Sequence, residues 1–192
     1  CTQFTDGPLG RAMAHFDPLI KGDTDEAFFF SVIIPLFNKE PYVERALVSV
    51  LRQSFRNFEI VVVDDCSSDD GVKVVDRVLS QSRASYQIIH RIQRGGSCAP
   101  ARSTGMRFAR GYYFAFLDAD DIWLPKKLET QVHKLKTNIH AGLTYTAFNL
   151  IDKEKNYKQT ITYKRQKESN FIKSLLTGRF RNVPYLSTIL VR

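Results

Sequence analysis

The sequence predicts an α/β fold, a doubly wound and mostly parallel sheet with helices on both faces. Three observations carry that expectation. Apolar, β-branched runs of strand length alternate with segments whose apolar residues recur at helical spacing, which implies right-handed strand-helix-strand crossovers. The run "FEIVVVDD" (58–65) is apolar on both faces, as a parallel strand covered by helices on each side should be. Two of the strands end in clusters of carboxylates, and open α/β sheets bind their ligands at the carboxyl ends of strands.

Residues 1–27, with Gly7, Pro8, Gly10, Pro18 and Gly22 and little periodicity, read as an irregular leader. One domain is expected over 28–192. "FFFSVII" (28–34) is its first strand, part of an apolar run from Ala27 to Phe37 that is too short to span a bilayer and is interrupted by Pro35. From Glu40 to Ser54, the residues Val43, Ala46, Leu47, Val50 and Leu51 share one helical face. The second strand is 58–65, followed by a helix with Val74, Val75, Val78 and Leu79 and by a third strand, "YQIIH" (86–90). A Gly95-Gly96 turn leads into a helix near Ala99 to Ala109, and "GYYFAFL" (111–117) is the fourth strand. A further helix begins around Pro125 and carries Leu128, Val132 and Leu135. After Gly142 the pattern loosens: "LTYTAFNLI" and "TITYK" read as strands, "NFIKSLLTG" as a helix and "YLSTILVR" as a strand. A chain that stops inside a strand reads as an incomplete domain.

With 192 residues, 43% hydrophobic and 25% charged, the chain can bury a core as a globular domain, and no repeat or low-complexity tract competes with that reading. Cys1, Cys66 and Cys98 are odd in number and lack CxxC spacing, which argues against a disulfide framework and a zinc site and for a reducing, cytoplasmic setting. The net charge of +8 is uneven: from Lys153 to Arg181 nine basic residues stand against Glu154 and Glu168, a net of +7. Such a segment suits either a solvated surface or contact with an anionic membrane face, which would make the protein peripheral on the inner leaflet.

The stretch "YFAFLDADDIWLP" (113–125) concentrates Asp118, Asp120 and Asp121 within four positions. One aspartate would suffice to cap the helix expected at Pro125. Three repel one another unless a cation holds them, and a hard divalent ion such as Mn²⁺ or Mg²⁺ takes oxygen ligands and bridges carboxylates to substrate phosphates. The second strand ends in Asp64-Asp65. If the strand order is 3-2-1-4, the first strand lies between the two acidic ends and separates them by two strand spacings, roughly 10 Å, a span that suits a nucleoside diphosphate. Pro35, Phe37 and Asn38 leave the first strand at the same rim. Phe37 could stack on a base, and Arg102 could pair with phosphate oxygens as a bidentate donor.

Taken together, "SVIIPLFNKEPYVERALVSVLRQSFRNFEIVVVDDCSSDD" and "GGSCAPARSTGMRFARGYYFAFLDADDIWLP" resemble the family 2 glycosyltransferases of the GT-A fold, from about Ser31 to Leu135 and more weakly to Arg192. The shared features are the first-strand Pro, Phe-Asn, Gln53-Ser54-Phe55, the Asp-Asp pair followed by Ser-Ser-Asp, the Ala-Arg pair and the DxD motif with its trailing Asp and Pro. The resemblance implies a nucleotide-sugar site, UDP-linked, in which Pro35 and Phe37 line the base pocket and Asp65 accepts from the base. Asn38, Asp64, Arg102 and Ala119 belong to the same site. Asp118 approaches the ribose and Asp120, with Asp118, holds a divalent metal, Mn²⁺ or Mg²⁺, on the diphosphate. It further implies inverting transfer to a glycan or lipid-linked acceptor in bacterial surface-polysaccharide synthesis, with no nucleic-acid partner. Cys66 stands where the family usually has Gly, and Ser103 where Asn is common. The resemblance further implies a general base, typically in a Glu-Asp pair downstream of a strand like "STILVR", and so expected beyond Arg192.

Other acid-bearing α/β proteins fit less well. A haloacid-dehalogenase phosphatase carries DxD after its first strand, a response-regulator receiver has its acidic pair there, and a dinucleotide-dependent oxidoreductase needs GxGxxG there. Here the first strand ends in Pro35-Leu36-Phe37-Asn38. A donor-binding or membrane-associated fragment without catalysis is the alternative, and turnover of a sugar nucleotide separates the two. A nucleotidyltransferase would instead release pyrophosphate.

Overall fold

The computed structural model describes residues 30–138, 140–152, 157–162 and 189–191. Its first half alternates strictly: β1 (Phe30–Leu36), α1 (Glu40–Leu51), β2 (Phe58–Asp64), α2 (Gly71–Ser80), β3 (Ser85–His90), α3 (Cys98–Phe108), β4 (Tyr113–Phe116) and α4 (Lys127–Thr137). Short strands follow: β5 (Leu143–Tyr145), β6 (Phe148–Ile151), β7 (Tyr157–Ile161) and β8 (Ile189–Val191). The main sheet has the order β3-β2-β1-β4-β8-β5, and β6 and β7 form a separate antiparallel pair. The first four strands are parallel in the order 3-2-1-4 expected from the acidic strand ends, and β8 is antiparallel to β4 and β5. The run "LTYTAFNLI" therefore divides between two sheets instead of forming one strand. The leader and "NFIKSLLTG" lie outside the described residues, as does the basic stretch 153–181 apart from 157–162. Among the described residues no helix is long and apolar enough to cross a membrane.

The alternation of side chains along β1, β2 and β4 builds two cores. Phe30, Val32, Ile34, Leu36, Phe58, Ile60, Val62, Tyr113, Ala115 and Leu117 pack with the apolar faces of α1, α2 and α4. Ile33, Val61, Val63 and Phe116 face the other way, onto Ala101 and Met106 of α3. Burying so many large aliphatic and aromatic side chains, at about 1.5–3 kcal/mol each, supplies the main drive to fold. Pro35 is accommodated because β1 pairs with β2 through Leu36 but with β4 only through Ile33, so beyond Ile33 one edge of the strand needs no N–H donor.

At the amino ends of the strands a single acid organises three segments. Glu59 is fully buried, and its carboxylate accepts from Ser31 Oγ at 2.6 Å, Arg110 N at 2.6 Å, Arg110 Nε at 2.8 Å and Gln87 Nε2 at 3.2 Å. The same Ser31 hydroxyl accepts from Gly111 N at 2.9 Å. Gly111 permits this close approach, because a Cβ there would stand 2.6 Å from Ser31 N and 2.7 Å from Phe30 C. Both obstacles are backbone. Gly111→Ala is therefore expected to lower stability by about 1–3 kcal/mol, as overpacking does, and a thermal melt would register the change.

The loop after β4 is fastened to α1 by polar bonds as well as packing. Gln53 is buried; its Nε2 donates to Leu124 O at 2.8 Å and its Oε1 accepts from Leu128 N at 3.0 Å, while Ser49 Oγ accepts from Trp123 N at 3.0 Å. The ammonium of Lys127 stands 3.9 Å from the Trp123 ring centroid, and burial pushes its pKa down to about 7. The N-cap of α4 is Lys126, so Asp121 does not cap that helix.

Candidate nucleotide-sugar site

Strand order brings the two acidic ends to one rim. Asp64 is level with Leu36 of β1, and Phe116, two residues before Asp118, is level with Ile33. With β1 between them, the ends of β2 and β4 are two strand spacings apart, roughly 10 Å. All the residues singled out from the sequence leave β1, β2, β4 or α3 at or near this rim.

The loops that follow β1 and β2 clamp each other. Asn38 N donates to Ser67 Oγ at 3.2 Å, and Asn38 Oδ1 accepts from Ser68 N at 2.8 Å. Asp69 accepts from Glu40 N at 2.8 Å and Gly71 N at 3.0 Å, and Glu40 accepts from Asp70 N at 3.1 Å. Side chains of each loop thus satisfy exposed N–H groups at the start of the other's helix. This is the physical content of "SSDD". Two residues here adopt left-handed backbone, Asn38 at φ 49° and Cys66 at φ 65°. Asn tolerates that region and glycine suits it best, which explains a glycine preference at position 66. Cys66 bears the conformation while its Sγ donates to Arg91 O at 3.1 Å.

Each acid at the rim has a defined partner. Asp64 Oδ1 accepts from Ser67 N at 3.0 Å, and its Oδ2 lies 3.3 Å from His90 Nδ1. The buried Asp65 is ion-paired to Arg91 and accepts from Gly95 N at 3.0 and 3.1 Å. Gly95 is required for that contact, since a Cβ would stand 2.5 Å from Arg91 Nη1 and 2.7 Å from Pro100 Cβ. Arg94 lies over Phe37, its guanidinium 4.0 Å from the ring centroid, so one face of the aromatic expected at the base pocket is stacked on a cation.

At the end of β4, Ala119 is buried in the core while Asp118 and Asp120 are turned outward, and Asp121 N closes a turn onto Asp118 O at 2.9 Å. Asp118 is ion-paired to Arg102, whose side chain is only 14% exposed. Arg102 is thus not a surface arginine; one of its guanidinium nitrogens holds Asp118. Asp120 Oδ2 lies 2.6 Å from Lys39 Nζ, and this hydrogen bond raises the Lys39 pKa above its ordinary value. The repulsion expected among these aspartates is relieved by cations that the protein itself supplies. Lys39, Arg91 and Arg94 were not singled out from the sequence. Their signal was position: Lys39 follows Asn38 directly, and Arg91 and Arg94 sit between the end of β3 and the Gly95-Gly96 turn.

Among the described residues no group of three or more His, Cys, Asp and Glu could hold a metal by itself. The fit to a divalent ion rests on Asp120, 43% exposed at the rim, beside which an ammonium already stands in for a cation. Mg²⁺-type sites built from one or two carboxylates take their remaining ligands from substrate phosphates and water. The residues present fit that pattern.

An open α/β sheet with paired acids at the carboxyl ends of β2 and β4 is the architecture of the GT-A glycosyltransferases. The chain belongs to glycosyl transferase family 2, which it matches over residues 31–189. The UDP-Glc:alpha-D-GlcNAc-diphosphoundecaprenol beta-1,3-glucosyltransferase WfgD of Escherichia coli is 38% identical over 113 residues, 58% of this chain and 43% of that protein. Among solved structures, S. aureus TarS 1-349 in complex with UDP-GlcNAc superposes with a TM-score of 0.56 at 28% identity, covering 60% of this chain and 33% of TarS 1-349. The mannosyltransferase PcManGT from Pyrobaculum calidifontis, in complex with GDP-Man and Mn²⁺, gives a TM-score of 0.56 at 27% identity, covering 69% and 40%. The chain spans 61% of the length of one curated relative, an uncharacterized glycosyltransferase of Haemophilus influenzae, and 43% of WfgD.

Proposed function

We propose that this chain is the donor-binding part of an inverting, divalent-metal-dependent glycosyltransferase. It takes a UDP-linked sugar and serves a glycan or lipid-linked acceptor in bacterial surface-polysaccharide synthesis. The observation that carries the proposal is the pair of acidic strand ends on either side of β1, each with one carboxylate held in place by an arginine. The complexes of TarS with UDP-GlcNAc and of PcManGT with GDP-Man and Mn²⁺ support it, as does the lipid-linked acceptor in WfgD's name. A lipid-linked acceptor would also bring the basic stretch 153–181 toward an anionic membrane face, and we include such peripheral contact in the proposal.

Asp65 accepts a ring N–H of the base. A carboxylate has about four acceptor positions, so its bonds to Arg91 and Gly95 orient it without exhausting it. Phe37, backed by Arg94, offers its other face to the base, and Pro35 contributes to the same pocket. Arg102 orients Asp118 toward the ribose, and Asp120 holds the diphosphate side. When bound there, a divalent ion neutralises charge on the departing nucleoside diphosphate.

Calorimetric titration with UDP, in Mn²⁺ and in chelator, tests the reading. Asp65→Asn is expected to weaken UDP binding by about 1–3 kcal/mol, the range for a lost charge-assisted hydrogen bond with its partner left unpaired, while Mn²⁺ dependence survives. Loss of Mn²⁺ dependence in that variant would mean that the two acidic ends form one metal site. Release of UDP from a UDP-sugar would distinguish transfer chemistry from donor binding alone.

A further inference from the structure

The two outward aspartates of the DxD motif are neutralised in different ways. Arg102, largely buried and permanently charged, is a fixed partner for Asp118. Lys39 and Asp120 are 37% and 43% exposed, so water and ions reach both. The backbone of Lys39 is anchored, its carbonyl accepting from Tyr42 N and Val43 N at 2.9 Å each. Only its flexible stem has to move for the pair to open. The Tyr42 ring centroid lies 5.7 Å from the Lys39 ammonium in this same position, a weak contact that the ring shares with the Arg45 guanidinium and that does not hold the ammonium on Asp120.

We propose that Lys39 is a displaceable counter-cation of Asp120: it holds the carboxylate in position while no divalent ion is bound and yields it when the ion arrives. This rests on the donor-site reading above. An ammonium and a divalent ion repel each other at contact distance, so the ion can take the Asp120 oxygen only if Lys39 withdraws. An exposed ion pair is weak enough to be exchanged yet strong enough to lower the ion's apparent affinity by about two- to fivefold. Lys39 is thereby a positioning residue that tunes metal affinity without being a ligand.

The test titrates the whole chain with Mn²⁺, with and without saturating UDP, and follows free Mn²⁺ by electron paramagnetic resonance. Lys39→Met is expected to tighten Mn²⁺ binding about two- to fivefold, and Lys39→Arg to return it toward the wild-type value. In a parallel Mg²⁺ titration the Lys39 ammonium resonance, identified by its absence from Lys39→Met, should shift with the midpoint of ion binding. A merely structural lysine would show neither effect. Unchanged or weaker Mn²⁺ binding in Lys39→Met, with UDP binding still Mn²⁺-dependent in the wild type, overturns the counter-cation role and leaves the donor site standing. Failure of Mn²⁺ to bind any variant, with or without UDP, overturns both.

Discussion

Glu59→Ala is expected to cost about 1–3 kcal/mol of folding stability for each buried hydrogen-bonding partner it leaves unsatisfied; the Arg110 charge itself, 61% exposed, stays solvated. Typical domains have only about 5–15 kcal/mol in all, so the variant should be marginal. The substitution strands the Ser31 hydroxyl, the Arg110 N–H and the Gln87 amide, each of which now bonds to the carboxylate. It also releases the turn leading into β4. Burial alone would push the Glu59 carboxyl up, but the bonds from Ser31, Arg110 and Gln87 outweigh it and hold the pKa below the ordinary value. A depressed folded-state pKa contributes stability that is fully present above the unfolded value of about 4.3 and is lost as pH falls through the folded one. Chemical denaturation of wild type and Glu59→Gln across the acid range should show this: the wild type loses stability on acidification below about pH 4.3, and the variant, less stable at neutral pH, shows a shallower decline. Equal slopes would mean that Glu59 binds its proton alike in the folded and unfolded chains.

Asp120→Ala is expected to act in the opposite way, leaving the fold intact and removing function. Its bond to Lys39 is exposed on both sides, and such pairs contribute about 0–1 kcal/mol. The melting temperature should hardly move. The increase that Mn²⁺ gives to UDP affinity should fall by about 10–100-fold or vanish, since even residues one step removed from a metal cost that much. Titration with UDP in Mn²⁺ and in chelator measures the increment directly. An unchanged increment in a folded Asp120→Ala protein would sink the assignment of Asp120 to the metal.

The parallel half of the sheet was legible because strand-length apolar runs alternate with segments of helical periodicity, and because the run 58–65 reads as apolar on both faces, as a helix-covered strand does. Strand order could be argued from chemistry, since Asp64-Asp65 and Asp118-Ala119-Asp120 can serve one diphosphate-sized ligand when a single strand separates their ends. The boundaries were less legible: α4 starts at Lys127, two residues beyond Pro125, where Ser54 N donates to Pro125 O and Gln53 bonds Leu124 O on one side and Leu128 N on the other. Glu59 was hidden within a run read as apolar. Nothing local distinguishes a strand-end acid from one buried by an arginine 51 positions away. The cationic side of the site was missed for the same reason. Lys39, Arg91 and Arg94 acquire meaning only when the segments after β1 and β3 come together around the ends of β2 and β4.

The position of β8 in the sheet has a consequence for the order in which the chain can fold. β1 to β4 and their connecting helices pair among themselves, so the parallel half can assemble once residues 30–116 are available. β5 is different, because among the described residues its one neighbour in the sheet is β8, which is made much later. Closing so long a loop costs entropy before any contact compensates it, and non-local pairings form late. During synthesis the donor rim would therefore exist while the antiparallel side of the sheet was still open, with the edge of β4 exposed. On the proposed reading, a nucleotide sugar captured at that stage would stabilise the parallel half alone by mass action, acting as a folding ligand before it could be a substrate.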